Sequence, residues 1–314
     1  MSSVLITGGF GYIGGRVAHH LQCSGHTILL GTRQTSITPM WLLGTEVRKI
    51  NWQDDIALER ACHGVNVIIH AAGMNAQDCT KDPVAALEFN GMATARLARA
   101  ASLAGVKLFI YLSTAHVYAC PLVGIITEDS CPRNLHPYAT SHLAGEQAAL
   151  YVGHSGPIES VVLRLSNSVG APMHKGVNCW SLLTNDLCRQ AVERKQLTLN
   201  SAGSQQRDFV SLSEVCRIID WFVSNERNHL QTNIFNVGAG VSSTLLDMAM
   251  AIQGRCEIVL GFRPDIILHS ENDGGEDLVY RVEQLEKHGI QLDSDLTSEL
   301  DNLLLFCMRE FGTH

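Results

Sequence analysis

The stretch that most restricts this 314-residue chain is "LITGGFGYIGG", in which Gly8, Gly11 and Gly14 recur at every third position between an apolar run and an amphipathic one. "SVLITGG" reads as a short buried strand. "YIGGRVAHHLQCSG" carries Ile13, Val17 and Leu21 at i, i+4 and i+8 before a Gly25 stop, as a helix does. Glycines in such a turn let the backbone bend sharply and approach a ligand closely. The helix start then offers unpaired N–H groups and a positive dipole end to a pyrophosphate.

Downstream, apolar strands alternate with helices. "HTILLGT" and "EVRKIN" read as the second and third strands, followed by the helix "DIALERACHG". "VNVIIHAAG" is a fourth strand, "DPVAALEFNGMATARLARAASLAG" a long helix, "KLFIYLST" a fifth strand, "YATSHLAGEQAALYVG" the next helix and "IESVVLRLSN" a sixth strand. Uniformly apolar strands joined by helices belong in a parallel sheet covered on both faces. The alternation loosens near residue 170. Beyond it "WSLLTNDLCRQAVERK", "STLLDMAMAIQG" and "DLTSELDNLLLFCMREF" read as helices, "NIFNVGAG" as a strand, and "QRDFVSLSEVCRIIDWFVS" as one strand running into another. The expected fold is α/β: a doubly wound parallel sheet over residues 1–170, with 205–238 returning to it. A smaller C-terminal lobe, 171–204 and 239–314, is expected over the sheet's carboxyl edge.

Charge excludes one class of partner. Lysine and arginine number 23 against 31 acids, for a net −8 without any basic run, so nucleic acid is not expected. No apolar stretch approaches the ~18 residues of a membrane span. The first strand starts at Val4, which leaves no room for a signal peptide. Ten scattered cysteines with no C-x-x-C pair point to reduced thiols in a cytoplasm. The fourteen histidines include no H-E-x-x-H or similar spacing, so no metal is expected.

"TGGFGYIG", "IIHAAG", "LSTAHVY", "YATSHLAGE", "VVLRLSNSVG", "GSQQRDFVSLSEV" and "IFNVGAG" occur in an order and spacing that resemble the extended short-chain dehydrogenases/reductases of the nucleotide-sugar epimerase/dehydratase type. The resemblance covers nearly the whole chain. It implies a Rossmann-type domain, a nicotinamide cofactor and a smaller substrate lobe. It also implies cofactor contacts from Gly8, Phe10, Gly11, Tyr12, Ile13 and Gly14 in the loop, and from Ala71, Ala72 and Gly73 after the fourth strand. Leu112 and Ser113 of the fifth strand, and Asn90 of the long helix, complete that wall, the last in a mostly structural role.

The second strand ends "LLGTRQTS", where NAD enzymes place an acid on the ribose 2′-hydroxyl. Thr32 stands there instead, with Arg33 next, and a guanidinium suits a 2′-phosphate. NADP is therefore expected ahead of NAD. The family's aspartate after the third strand appears as Asn51, beside Trp52 near the adenine.

By the same resemblance Thr114 supplies the active-site hydroxyl and Tyr138 the acid/base. The family's lysine, one helical turn after the tyrosine, is replaced by His142. A lysine lowers the phenol pKa from about 10 and holds the nicotinamide ribose, whereas an imidazole of pKa ~6.5 is mostly neutral at pH 7. Three readings stay open. His142 is protonated and the enzyme active, or His116 or His136 does the proton work, or the redox step is lost and the fold only binds.

Family members that dehydrate or decarboxylate carry an acid just after the catalytic Thr or Ser. Thr114-Ala115-His116 carries none, which favours epimerisation or 4-keto reduction. Asn167 and Arg207 match residues that meet the nucleotide diphosphate, with His116 beside them. Arg281 is a second candidate, or a surface ion pair; Arg164 reads as a core anchor. A nucleotide sugar is the expected substrate, with a catalytically silent NAD(P)-binding subunit or sensor, or a reductase of a non-sugar carbonyl, as alternatives. Ala-rich faces in "ATARLARAASLAG" and "LAGEQAAL" suit the family's four-helix dimer interface, so a homodimer is expected.

Overall fold

A computed structural model describes residues 1–34, 37–227, 230, 232–269 and 274–312 of the chain. Seven parallel strands form the main sheet, in the order Ile234–Val237, Glu159–Leu165, Leu108–Thr114, Val67–His70, Ser3–Thr7, Thr27–Thr32, Glu46–Lys49. The order reverses at Ser3–Thr7, so the crevice at a doubly wound sheet's switch point opens beside the glycine loop.

Alternation along the strands sorts the core into two layers. Val4 and Ile6 face one way, with Leu30, Ile110 and Leu163, against Val17 and Leu21 of the helix Tyr12–Cys23 and Ile218, Ile219 and Phe222 of Leu212–Ser224. Leu5, Ile68, Phe109 and Val162 face the other way, against Leu58, Leu97, Ala101 and Ala149. Each large side chain so buried is worth about 1.5–3 kcal/mol.

Two elements, Leu212–Ser224 and the long helix after the fourth strand, differ from the sequence expectations. "SLSEVCRIIDWFVS" is the helix Leu212–Ser224, not a strand: Ser211 caps it by accepting from Glu214 N at 3.0 Å, and its apolar residues recur at helical spacing. "NIFNVGAG" contributes the strand Ile234–Val237 to the main sheet as its seventh member. The long helix after the fourth strand is broken into Pro83–Ala86, a π-helical stretch Leu87–Ala93, and Thr94–Leu103. Asn90 lies in the π stretch, the kind of distortion often found at functional sites.

The second half packs its own core from the helices Leu183–Arg194, Leu245–Leu260 and Thr297–Phe311 with the paired strands Gln196–Leu199 and Asp265–Leu268. A clasp joins it to the first helix. Arg16 donates from Nη1 to Glu299 Oε2 and Ala171 O, each at 3.0 Å, and from Nη2 to Glu299 Oε1. Ser213 donates to the same carboxylate through its N–H at 3.1 Å and its hydroxyl at 2.5 Å. Tyr12 adds a second tie, its hydroxyl lying 3.0 Å from Gly170 O and 3.2 Å from Asn185 Oδ1.

Charge-assisted hydrogen bonds on a buried carboxylate are worth about 1.5–3 kcal/mol each. Glu299→Gln should therefore lower unfolding free energy by about 2 kcal/mol, read as a lower urea midpoint at unchanged m-value; an unchanged midpoint would show that the clasp carries no stability.

Candidate active site

The site is assembled where the strand ends meet the first helix. Gly8 adopts φ 72°, and a Cβ there would lie 2.6 Å from Ala71 O, so the loop touches the chain leaving the fourth strand. A Cβ on Gly14 would lie 2.3 Å from Gly8 O, so any side chain there would push the helix off the loop. Gly11 is the helix N-cap and gives it no side-chain acceptor. The first-turn N–H groups of a twelve-residue helix thus face the crevice with their dipole end, as a pyrophosphate requires.

Thr114 ends the fifth strand, buried, its hydroxyl accepting from His116 N at 3.1 Å. Tyr138 lies in the first turn of the helix Pro137–Ser155, with the Thr114 hydroxyl as its side-chain hydrogen-bond partner. His136 caps that helix: its Nδ1 accepts from Tyr138 N at 3.1 Å, and its Nε2 meets Thr80 Oγ1 at 3.0 Å. His142 packs edge-on against the Tyr138 ring, centroids 4.5 Å apart, and its Nε2 side faces Gly73. Tyr138, Thr114 and His142 therefore converge on the chain that follows the fourth strand, beside the glycine loop.

The profile of the NAD dependent epimerase/dehydratase family matches residues 4–238. The chain belongs to that family. A UDP-glucose 4-epimerase of Rhizobium leguminosarum bv. trifolii is 24% identical over 265 residues, 80% of this chain and 81% of the relative. A dTDP-glucose 4,6-dehydratase of Streptomyces niveus is 24% identical over 297 residues, 89% of this chain and 84% of the relative. Among solved structures, the UDP-N-acetylglucosamine 4-epimerase of Methanobrevibacter ruminantium superposes with TM-score 0.83 at 19% identity, covering 99% of each chain. The UDP-glucuronic acid 4-epimerase of Bacillus cereus, in complex with UDP-glucuronic acid and NAD, gives 0.80 at 20% identity, covering 98% of this chain and 100% of that one.

Burial governs the electrostatics of this family site. It pulls His142 down to about 4 and His70, on the fourth strand, to about 3, His142 adding a smaller push on the latter. Burial thus disfavours the charged form of His142, which counts against the reading in which it replaces the lysine as a cation. Burial also raises the Tyr138 phenol above its usual 10, opposed by the Thr114 hydroxyl and reinforced by Cys79. His116 is lowered by burial, then by Arg207 and His136.

A second cavity of about 820 Å³ opens between the ends of the second and third strands and the π stretch. Arg33, Asn51 and Trp52 line it, as does Lys49, whose strand position pairs with Thr32. So do Phe89, Met92 and Arg96, which sequence reading missed along with Lys49. The Arg33 guanidinium lies 5.3 Å over the Phe89 ring, and Arg96 reaches Trp52 O at 3.4 Å. Among the described residues, Arg33, Lys49 and Arg96 form no ion pair, and Glu88 is the cavity's one acid. Of these, only Lys49 had a visible signal, a cation just ahead of Asn51 at a strand end.

Several expected contacts are committed elsewhere. The Ser113 hydroxyl donates to Glu146 Oε1 at 2.5 Å, and Leu112 belongs to the core. Tyr12 sends its phenol to the second lobe, Ile13 packs on the core, and Phe10 lies against Trp41, its carbonyl 3.1 Å from His174 Nε2. Asn90 Oδ1 accepts from Met74 N at 2.8 Å and its Nδ2 donates to Ser141 at 3.0 Å, holding the segment after Ala72. Asn167 Nδ2 donates to Asp208 O at 2.9 Å, and Arg207 is held by Gln206 O and Gln205 Oε1 at 3.0 and 3.1 Å. Arg281 forms a surface ion pair with Glu283 at 3.3 Å. Among the described residues no cluster could hold a metal ion, and no helix is long and apolar enough to cross a membrane.

Both depressed histidines bind a proton in the unfolded chain before the folded one. Their contribution is complete above about pH 6.5 and is lost as pH falls toward about 4 for His142 and about 3 for His70. Urea midpoints should fall steadily below pH 6.5, and His142→Gln should make that fall shallower; parallel profiles would mean that His142 is not held neutral.

Proposed function

We propose that the chain is an NAD(P)-dependent oxidoreductase of a nucleotide-diphosphate sugar, and that 4-keto reduction suits its site better than epimerisation. The observation that carries this is the state of Tyr138. Its phenol is raised by burial, sits against the Thr114 hydroxyl and has a neutral imidazole in place of a cation. A phenol kept protonated is a competent acid toward a carbonyl oxygen. It is a poor base toward a sugar hydroxyl, because the base must first be tyrosinate.

A bound nicotinamide supplies or accepts the hydride. The chain's part is to hold that cofactor on the glycine loop, to orient the sugar carbonyl through Thr114, and to give it the Tyr138 proton. His116 and Arg207 stand on the same side as Thr114 and suit the sugar and its diphosphate. Three cations around the adenosine-sized cavity, Arg33, Lys49 and Arg96, support NADP over NAD. We keep the two-fold homodimer through the helices Thr94–Leu103 and Pro137–Ser155, which carry exposed Leu103 and Tyr151. The silent cofactor-binding module stays as a second reading, favoured by the same absence of charge beside Tyr138.

Fluorescence titration should show NADPH binding tighter than NADH, and Arg33→Ala should erase the difference; tighter NADH binding overturns the cofactor choice. Light scattering at micromolar concentration should give a dimer mass, and a monomer refutes that assembly.

Reduction of a keto-sugar nucleotide should be nearly level from pH 6 to 9, since neither His142 nor Tyr138 titrates there, and should vanish in Tyr138→Phe. His142→Lys should raise the reverse, oxidative rate at neutral pH by about 10- to 1000-fold, the gain in tyrosinate that a neighbouring cation provides. Cofactor binding without any turnover, in wild type and His142→Lys alike, would establish the silent module.

A further inference from the structure

Tyr111 lies in the middle of the fifth strand, wholly buried. Its hydroxyl is 3.0 Å from His142 Nδ1. The two rings are tilted by 39° with centroids 6.0 Å apart, so the phenol meets the imidazole without stacking on it. The opposite edge of the imidazole faces Gly73: a Cβ on that glycine would lie 3.4 Å from Cε1 and 3.5 Å from Nε2 of His142.

We infer that Tyr111 is a positioning residue that fixes His142 in the tautomer carrying its proton on Nε2, so that the ring presents a hydrogen-bond donor beside Gly73. Acceptor strength decides where the proton lies. Tyr111 also neighbours the Thr94 hydroxyl, but an imidazole lone pair is a far better acceptor than either hydroxyl oxygen and a phenol a far better donor than an imidazole N–H, so the Tyr111 proton points at Nδ1. The other ring nitrogen then holds the remaining hydrogen.

The neighbouring histidine is fixed in the same sense. Thr94 donates its one hydroxyl proton to Asn90 O at 2.6 Å, so it can only accept from His70 Nε2 at 2.9 Å. His70 Nδ1 in turn accepts from Thr7 at 2.6 Å. The groups facing His142 are Tyr111 from the fifth strand, Tyr138 from its own helix and His70 from the fourth strand, with no carboxylate to draw a second proton onto the ring.

A lysine at position 142 would need no such partner, because its three N–H donors are equivalent. An imidazole does need one, because the other tautomer would offer a lone pair in place of a donor. The inference rests on the cofactor reading above in one respect: the group that Nε2–H meets is a ribose hydroxyl of the nicotinamide half. Tyr111 thus acts through His142 and not on substrate.

The test is nitrogen-detected NMR of the histidine side chains in cofactor-free protein labelled with 15N, assigned through His142→Gln, from pH 5.5 to 8. Wild type should show His142 Nε2 protonated and Nδ1 as a hydrogen-bonded acceptor across the range. Tyr111→Phe should give a tautomer mixture and about tenfold weaker NADP(H) binding, the loss of one buried hydrogen bond. A protonated Nδ1 in wild type, or an unchanged His142 pattern in Tyr111→Phe, overturns the inference. If neither nicotinamide cofactor binds wild type, the cofactor reading fails while the spectra still judge Tyr111. Should Tyr111→Phe not fold, the wild-type spectrum decides alone.

Discussion

Everything at the site hangs on one carboxylate. Glu146 stands two turns beyond Tyr138 on the same helix and is fully buried. Arg164 of the sixth strand meets it with Nε at 3.0 Å and Nη2 at 2.7 Å, and Ser113 of the fifth strand donates to it as well. The arginine's third nitrogen reaches the Tyr118 hydroxyl at 2.8 Å, which continues to Asn236 on the seventh strand at 2.7 Å. Tyr280, from the second half, closes the network on Arg164 O at 2.8 Å and on Asn236 at 3.0 Å. An isolated charge here would cost several kcal/mol, so the pair persists only because each lone pair and proton is answered. The helix bearing Tyr138 is thereby set against the ends of three strands, and its distance from Thr114 follows from that.

The same dryness that strengthens this pair decides the chemistry next to it. Around Tyr138 the protein offers hydroxyls, a thiol and neutral rings, not charge. Where the family's lysine is a cation, the proposed role of His142 is a hydrogen bond whose direction Tyr111 specifies from behind. The trade suits a reaction in which the tyrosine gives a proton away. It is costly for one in which the tyrosine must take a proton up.

The sheet and the glycine loop are legible because each rests on local signals, apolar runs and glycines at fixed spacing; Thr114, Tyr138 and position 142 come from the family resemblance, and the fold sets them side by side. The helix Leu212–Ser224 was misread because β-branched and aromatic residues crowd it, and its serine cap was overlooked. Lys49, Arg96 and Phe89 come together from a strand end and a distorted helix about forty residues apart, which no local pattern reveals. Tyr111 was hidden for the opposite reason: in a strand buried throughout, it looks like one more core residue.

The clasp between Arg16 and Glu299 also bears on how the chain is made. The two residues are 283 positions apart, so the helix that follows the phosphate loop is synthesised long before its Glu299 partner. Until the helix Thr297–Phe311 leaves the ribosome, Arg16 lacks its buried carboxylate, although Ala171 O, Gly170 O and Asp220 already answer Arg16, Tyr12 and His20. A nascent chain can form the main sheet first, yet the helix after the glycine loop gains Glu299 only once Thr297–Phe311 has been made. Truncation near the C-terminus would therefore be felt at the glycine loop, at the other end of the sequence.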